Sequence, residues 1–292
     1  MDCFELYNGL SIPSIGYGPG IIYGAKENIR NLLLGNPKIG NDLASIQTLN
    51  KVNRFGVKLL DTSESYVKSE YYIGKMLSNN VRNDFFIVTK VSNHSQMNYS
   101  VEESFYRSLD NLKTQYIDLY LLHWPVKGYF LESWKMLEKL YERGVCKAIG
   151  VANFNLHHLK ELEDNCSIMP MVNQIEYHPL FTNDEKLVEY CDEKKIQIMA
   201  YTPTARMDAR MKITCLPQLA TQYNKSIAQI ILKWHIQENR IPIVNTSNIR
   251  HLKDNFNIFD FELTETELDL IDKININSRL RYDPDNCDFS KL

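Results

Sequence analysis

An eight-stranded α/β barrel, the (β/α)8 TIM barrel, is the fold that this sequence predicts, with an N-terminal β-hairpin cap and an extra C-terminal helix and tail. Three observations carry it. Short apolar runs alternate with helical periodicity eight times along 292 residues, the pattern of a parallel sheet with crossover helices. No glycine-rich phosphate fingerprint follows the first run, which favours a closed barrel over an open doubly wound sheet. Several runs stop abruptly at a polar residue, as strands do where a barrel's C-terminal face builds a site. No linker or low-complexity tract interrupts the chain, so residues 1–292 read as one domain.

The elements follow in order. Phe4 to Tyr7 and Leu10 to Ile12 flank Asn8-Gly9, a pair that favours a tight hairpin turn. Ser14-Ile15-Gly16 is the first predicted barrel strand, and Leu43 to Phe55 has apolar anchors at helical spacing. Strand 57–61 leads to helix 69–78, strand 85–90 to helix 100–113, and strand 117–123 to helix 130–143. Strand 148–152 leads to helix 156–164, strand 171–176 to helix 183–195, and strand 197–201 to helix 215–239, with a break at Asn224. Strand 241–244 precedes helix 249–257, and a last helix over 264–274 precedes an irregular tail. Ser100 with Glu103, Asn183 before an acidic first turn, and Thr264 with Glu267 read as helix caps.

Composition narrows the function. A net charge of −3 gives no electrostatic reason for nucleic acid or an anionic membrane as partner. No basic leader followed by an apolar stretch opens the chain, and no apolar run approaches the ~20 residues that span a bilayer, so a cytoplasmic location is expected. Cysteines 3, 146, 166, 191, 215 and 287 lack any C-x-x-C or metal spacing and read as reduced thiols; no metal is expected.

Three consecutive strands end in chemistry. Val57-Lys58-Leu59-Leu60 stops at Asp61, with Tyr66 five residues on; Phe85 to Thr89 stops at Lys90; Ile117 to Leu122 stops at His123, before Trp124-Pro125. Taken singly each has an ordinary role: Asp61 as a turn cap, Lys90 snorkelling, His123 in the core, Tyr66 as a loop aromatic. Together they suggest a site. A buried lysine needs a carboxylate, and Asp61 on the neighbouring strand is its expected partner. That cation would lower the pKa of the Tyr66 phenol from about 10, making it a proton donor and acceptor near neutrality. His123 would orient a carbonyl oxygen or join the relay.

The stretch Gly56 to Tyr66 with Ser69-Glu70 closely resembles the signature of the aldo-keto reductases. So do Val88-Thr89-Lys90, Leu122-His123-Trp124-Pro125, Gly150 to Phe154, Asn173 to Pro179 and Asn255 to Thr264, in the family's order. The resemblance implies a monomeric barrel carrying out reversible hydride transfer between a nicotinamide and the carbonyl of an aldehyde or ketone. It implies Tyr66 as general acid, Lys90 held by Asp61 as the group tuning it, and His123 as the residue orienting the substrate. Asn153 and Gln174 would grip the carboxamide, Tyr201 would stack on the ring with Thr202 beside it, and Asp254 and Asn255 would contact adenine. Tyr17 and Trp124 would line the substrate pocket.

Departures from the family pattern modify this. Ala152 stands where a serine commonly precedes the carboxamide-binding asparagine. Asn245 and His251 stand where relatives often place a lysine and an arginine on the cofactor's phosphates. Thr246, Ser247 and Asn248 can still donate to phosphate, and Arg250, Arg206 or Arg210 could replace a lost cation. NADP(H) remains the expected cofactor, with NAD(H) use opened by the two substitutions. The loop after the fourth strand is short, Trp124 to Tyr129, whereas the stretch from Tyr17 to Asn41 is long. This predicts a site open on the fourth-strand side and covered by residues 18–40.

Trp134 and Trp234 read as core, His157-His158 as a solvated helix start, and Glu176 with His178 as braces of the barrel rim. Two other functions compete with reduction. One is a non-enzymatic, nucleotide-binding regulatory barrel of the same family, for which the acid-lysine-phenol set would be superfluous. The other is a lyase or isomerase using Lys90 as a Schiff-base amine, which leaves Asn153, Gln174 and Tyr201 without purpose.

Overall fold

In the computed structural model, residues 2–21, 41–66, 68–78 and 81–291 are described. Strands β1 (Cys3–Glu5) and β2 (Ser11–Pro13) pair antiparallel, and Gly9 between them turns the chain at φ +82°. Eight further strands follow: β3 (Gly16–Tyr17), β4 (Leu59–Asp61), β5 (Phe86–Val91), β6 (Leu119–Leu122), β7 (Ile149–Ala152), β8 (Val172–Glu176), β9 (Gln197–Tyr201) and β10 (Ile241–Val244). They pair in parallel, each with its successor and β10 with β3, and so close a barrel.

Side chains alternate across a strand, so register decides what the barrel encloses. In β5, Phe86 and Val88 fill the interior while Ile87 and Val91 join the layer under the helices. Lys90 shares the phase of Phe86 and Val88. By the same count Asp61 follows Leu59, His123 follows Leu119 and Leu121, Gln174 follows Val172, and Tyr201 follows Met199. The apolar interior layer is thus continued towards the strands' C-terminal ends by polar side chains. At the opposite end, Leu6 and Ile12 of the hairpin join that interior cluster and plug the barrel. Asn8 Nδ2 holds the plug by donating to the Lys147 carbonyl at 3.1 Å.

Helices cover the outside. Trp134 and Trp234 are fully buried, and their Nε1–H groups donate to the Ile168 carbonyl and to Asp272 Oδ1, each at 3.0 Å. The expected helix 215–239 divides into Leu216–Gln222 and Ile227–Gln237, and Asn224 sits between them at φ +51°. Thr264 and Glu267 form the expected capping box. Two other expected caps are different. The Ser100 hydroxyl donates to the Ser95 carbonyl at 3.3 Å and does not cap the helix Val101–Leu112. Asn183 lies outside its helix at φ +65°, and Asp184 is the cap, accepting from Lys186 N at 3.1 Å. A short helix, Asn93–Met97, capped by Ser92, has no apolar periodicity to announce it. Among the described residues, no helix is long and apolar enough to cross a membrane.

Helices Ser69–Leu77 and Val101–Leu112 approach closely at Gly74, where a Cβ would lie 2.1 Å from the Asn111 carbonyl oxygen. Backbone cannot yield there as a flexible side chain can. Gly74→Ala is expected to destabilise the protein by about 1–3 kcal/mol through overpacking, read as a lower urea midpoint with an unchanged slope.

Candidate active site

At the C-terminal end of β5, Lys90 is wholly buried and Asp61 nearly so. The Lys90 ammonium spends all three of its protons: on Asp61 Oδ1 at 2.7 Å, on Asp61 Oδ2 at 2.8 Å and on the Thr62 carbonyl at 2.7 Å. Asp61 Oδ1 also accepts Gln174 Nε2 at 2.9 Å, tying β8 to the pair. Burial of the charge is offset by this closed set of bonds.

Tyr66 stands over the pair, with the Lys90 ammonium 5.7 Å from its ring centre. The turn that carries it is fixed by Glu64, whose carboxylate accepts Ser92 N at 3.0 Å, Ser104 Oγ at 2.6 Å and Arg107 Nη2 at 2.7 Å. The expected lowering of the phenol pKa does not emerge. Burial raises it above the ordinary phenol value, Lys90 pulls it down and Asp61 pushes it up again, and burial prevails. Tyr66 is therefore protonated and able to give a proton to an oxygen that gains charge. His123 meets the Tyr66 ring edge-on, with centres 5.8 Å apart. Burial, and then the Lys90 charge, push its pKa down to about 3, so the ring is neutral at physiological pH.

The remaining rim residues converge on the same mouth but are partly engaged with one another. Asn153, at φ +65°, donates from Nδ2 to the His123 carbonyl at 2.9 Å and accepts the Tyr201 hydroxyl on Oδ1 at 2.7 Å. Thr202 follows at φ +49°, with its buried hydroxyl lacking a hydrogen-bond partner. An unpartnered buried hydroxyl beside two amides and a half-buried aromatic ring suits a flat polar ring with a carboxamide, so these residues fit a nicotinamide.

Asn245, where a cation was absent from the sequence, donates to the Gly18 carbonyl at 2.7 Å, linking the ends of β10 and β3. Thr246 and Asn248 hold their own turn, and Asn248 caps helix Ile249–Asn255 by accepting Arg250 N at 2.9 Å. Ser247 accepts Thr48 Oγ1 on its carbonyl at 3.0 Å. Asp254 and Asn255 end that helix half-buried, and His251 is exposed. Arg210 is committed to Asp208 and Ser278, each at 2.9 Å, whereas Arg206 is exposed at φ +52°.

Two expectations about the pocket change. Tyr17 does not line it: Gly16 takes the inward phase of β3, so Tyr17 is buried in the outer layer with its hydroxyl donating to the Thr246 carbonyl at 3.0 Å. The fourth-strand side is not open either. Trp124 is nearly buried, its ring centre 6.4 Å from that of Phe289 in the C-terminal tail. The cover expected from residues 18–40 falls mostly on 22–40, outside the described residues.

The tail is tethered at several points. Buried Glu176 accepts Leu280 N at 2.6 Å and Arg281 N at 3.0 Å as well as His178 Nε2 at 3.1 Å, the rim brace expected of that pair. Asp285 meets Asn155, His157 and His158, so the two histidines are a clamp and not a merely solvated start. These three ligand-capable groups, His157, His158 and Asp285, lie within 4.8 Å of one another. His158 Nδ1, however, accepts Asn155 N–H at 3.1 Å, which leaves Nε2 protonated and turned to Asp285. A metal-bound histidine has the reverse arrangement.

Sequence reasoning missed Ser63 and Glu64. Both lie within the quoted Gly56–Tyr66 stretch, but their partners come from other strands and helices, so spacing alone carried no signal.

The chain is similar along its length to known reductases. It is 35% identical over 289 residues to a glyoxal reductase of Bacillus subtilis, covering 99% of this chain and 98% of that one. It is 36% identical over 292 residues to a 9,11-endoperoxide prostaglandin H2 reductase of Trypanosoma cruzi, covering 98% and 95%. An aldo/keto reductase structure from Brucella melitensis superposes with a TM-score of 0.82 at 34% identity, covering 94% of this chain and 100% of that one. A Bombyx mori aldo-keto reductase solved with NADP gives 0.82 at 28%, covering 97% and 96%. A model of the Aldo/keto reductase family matches residues 34–276. With its barrel and its acid-lysine-phenol-imidazole set in place, this chain belongs to the aldo/keto reductase family.

Proposed function

We propose that the protein reduces small aldehydes or ketones to alcohols, reversibly, with a nicotinamide cofactor, NADP(H) ahead of NAD(H). The observation that carries this reading is the closed Lys90–Asp61 pair beneath a protonated Tyr66 and beside a neutral His123. Asn153, Gln174, Tyr201 and Thr202 would hold the nicotinamide; the bound group supplies the hydride that the carbonyl carbon receives. A carboxamide would have to exchange with the bonds that Asn153 and Gln174 already make. The B. subtilis relative's name places glyoxal among the substrates of that enzyme, which supports a small carbonyl compound here.

The chain's own groups account for the rest. A substrate oxygen accepts a hydrogen bond from His123 and the proton from the Tyr66 hydroxyl as charge develops on it. Lys90 beneath the phenol stabilises the phenolate left behind. The Schiff-base alternative fails on bonding: the three N–H groups of Lys90 are all donated, so no lone pair faces the cavity. A purely regulatory barrel is not favoured, since it has no use for a buried ion pair under a phenol.

Tyr66→Phe is expected to lower turnover by at least about 100-fold while cofactor affinity, read by fluorescence titration, stays nearly constant; parallel loss of both would remove Tyr66 from this role. Asn245→Lys combined with His251→Arg should tighten NADPH more than NADH, and an unchanged affinity ratio would count against NADP(H) binding at that turn. Reduction needs Tyr66 protonated and His123 neutral. With the first pKa raised above its usual value and the second depressed to about 3, kcat/KM for reduction should be flat from about pH 5 to 9. A limb inside that window would show a different ionising acid.

A further inference from the structure

Ser63 is fully buried beside the catalytic set, and its hydroxyl lies 3.1 Å from His123 Nδ1. Its oxygen also accepts Ser65 N–H at 3.1 Å. The hydroxyl has one proton and two candidate acceptors: His123 Nδ1, and the Lys90 carbonyl at 3.4 Å. That carbonyl already accepts Glu64 N–H at 3.1 Å, whereas among the described residues the only other partner of Nδ1 is the Ser65 hydroxyl at 3.5 Å. The shorter contact to the less engaged acceptor favours the proton on the line to Nδ1. A neutral imidazole that accepts at one nitrogen carries its proton on the other. Among the described residues Nε2 has no hydrogen-bond partner, and the imidazole is only partly buried.

Resting on the reductase reading above, we propose that Ser63 is a positioning residue that locks His123 in the Nε2–H tautomer and so makes it a hydrogen-bond donor to the substrate carbonyl. The opposite tautomer would present a lone pair to that oxygen and repel it. Depression of the His123 pKa by burial keeps a second proton off Nδ1, so the lock holds across the physiological range. Lys90 gives this arrangement its anchor, since the carbonyl of Lys90 fixes the Glu64 amide that begins the Ser63–Ser65 turn.

The tautomer can be read without turnover. In protein carrying 15N-labelled histidine, a long-range proton–nitrogen correlation spectrum separates Nδ1–H from Nε2–H rings, and His123→Asn assigns the signal. Wild-type protein is expected to show His123 protonated on Nε2 from about pH 5 to 8. Ser63→Ala, which leaves Nδ1 facing only Ser65, should shift the ring to the Nδ1–H form or a mixture. Its kcat/KM for a small aldehyde should fall about tenfold or more, with cofactor affinity within about twofold of wild type. Ser63→Thr, which keeps the hydroxyl, should recover the wild-type spectrum. An Nδ1–H ring in the wild type, or an unchanged spectrum in Ser63→Ala, overturns the proposal. Should Ser63→Ala fail to fold, the wild-type spectrum still decides. Absence of aldehyde-dependent cofactor oxidation by wild type would refute the reductase reading and leave the tautomer result standing.

Discussion

The buried bond between Lys90 and Asp61 is the constraint on which the site depends. An ammonium with no exposure survives only if every proton is accepted, and the Asp61 carboxylate and the Thr62 carbonyl accept them all. Losing one partner of such a pair typically costs about 3–5 kcal/mol. The pair also sets the character of the phenol above it. Being neutral overall, it leaves burial to dominate, and Tyr66 keeps its proton until an oxygen gaining negative charge calls for it. The positive end lies over the ring face, 5.7 Å from its centre, which favours the phenolate at the moment it forms.

Convergence of these groups follows from the two-residue period of a strand. Asp61, Lys90, His123, Gln174 and Tyr201 each share the phase of an interior apolar residue two positions earlier in the same strand. Tyr66 is the exception, carried by a turn beyond β4 and held there by Glu64. That carboxylate gathers donors from β5's end and from the helix Val101–Leu112, so the turn is built from groups far away in sequence. A barrel thus contributes rigid depth, and one braced turn contributes the group that moves a proton.

Much of this could be read before any coordinates. Eight alternations gave the barrel, and the polar strand ends gave the acid, the amine and the imidazole. What escaped the sequence had a physical cause in each case. Tyr17 lies outside the pocket, and Gly16, with no side chain of its own, hides the phase of this two-residue strand. Ser100 and Asn183 look like caps by residue type, yet the hydroxyl of one and the backbone angle of the other serve neighbouring turns. The sign of the Tyr66 shift is set by burial of the phenol, which strand spacing does not reveal. The cover over Trp124 was missed because Phe289 lies 165 positions later, with no local pattern linking them.

The tethering of the tail has its own consequence. Its holds on the barrel include two amides on Glu176, the Ile276 and Ser278 amides on the Leu180 carbonyl, Arg210 on Ser278, Asn93 on the Phe289 carbonyl, the clamp at Asp285 and an aromatic touch at Trp124. Among the described residues, no strand pairing passes through it. The segment is therefore fastened through amides and side chains alone, so an altered residue in it changes the rim beside Trp124 without touching the bonds of the Lys90–Asp61 pair.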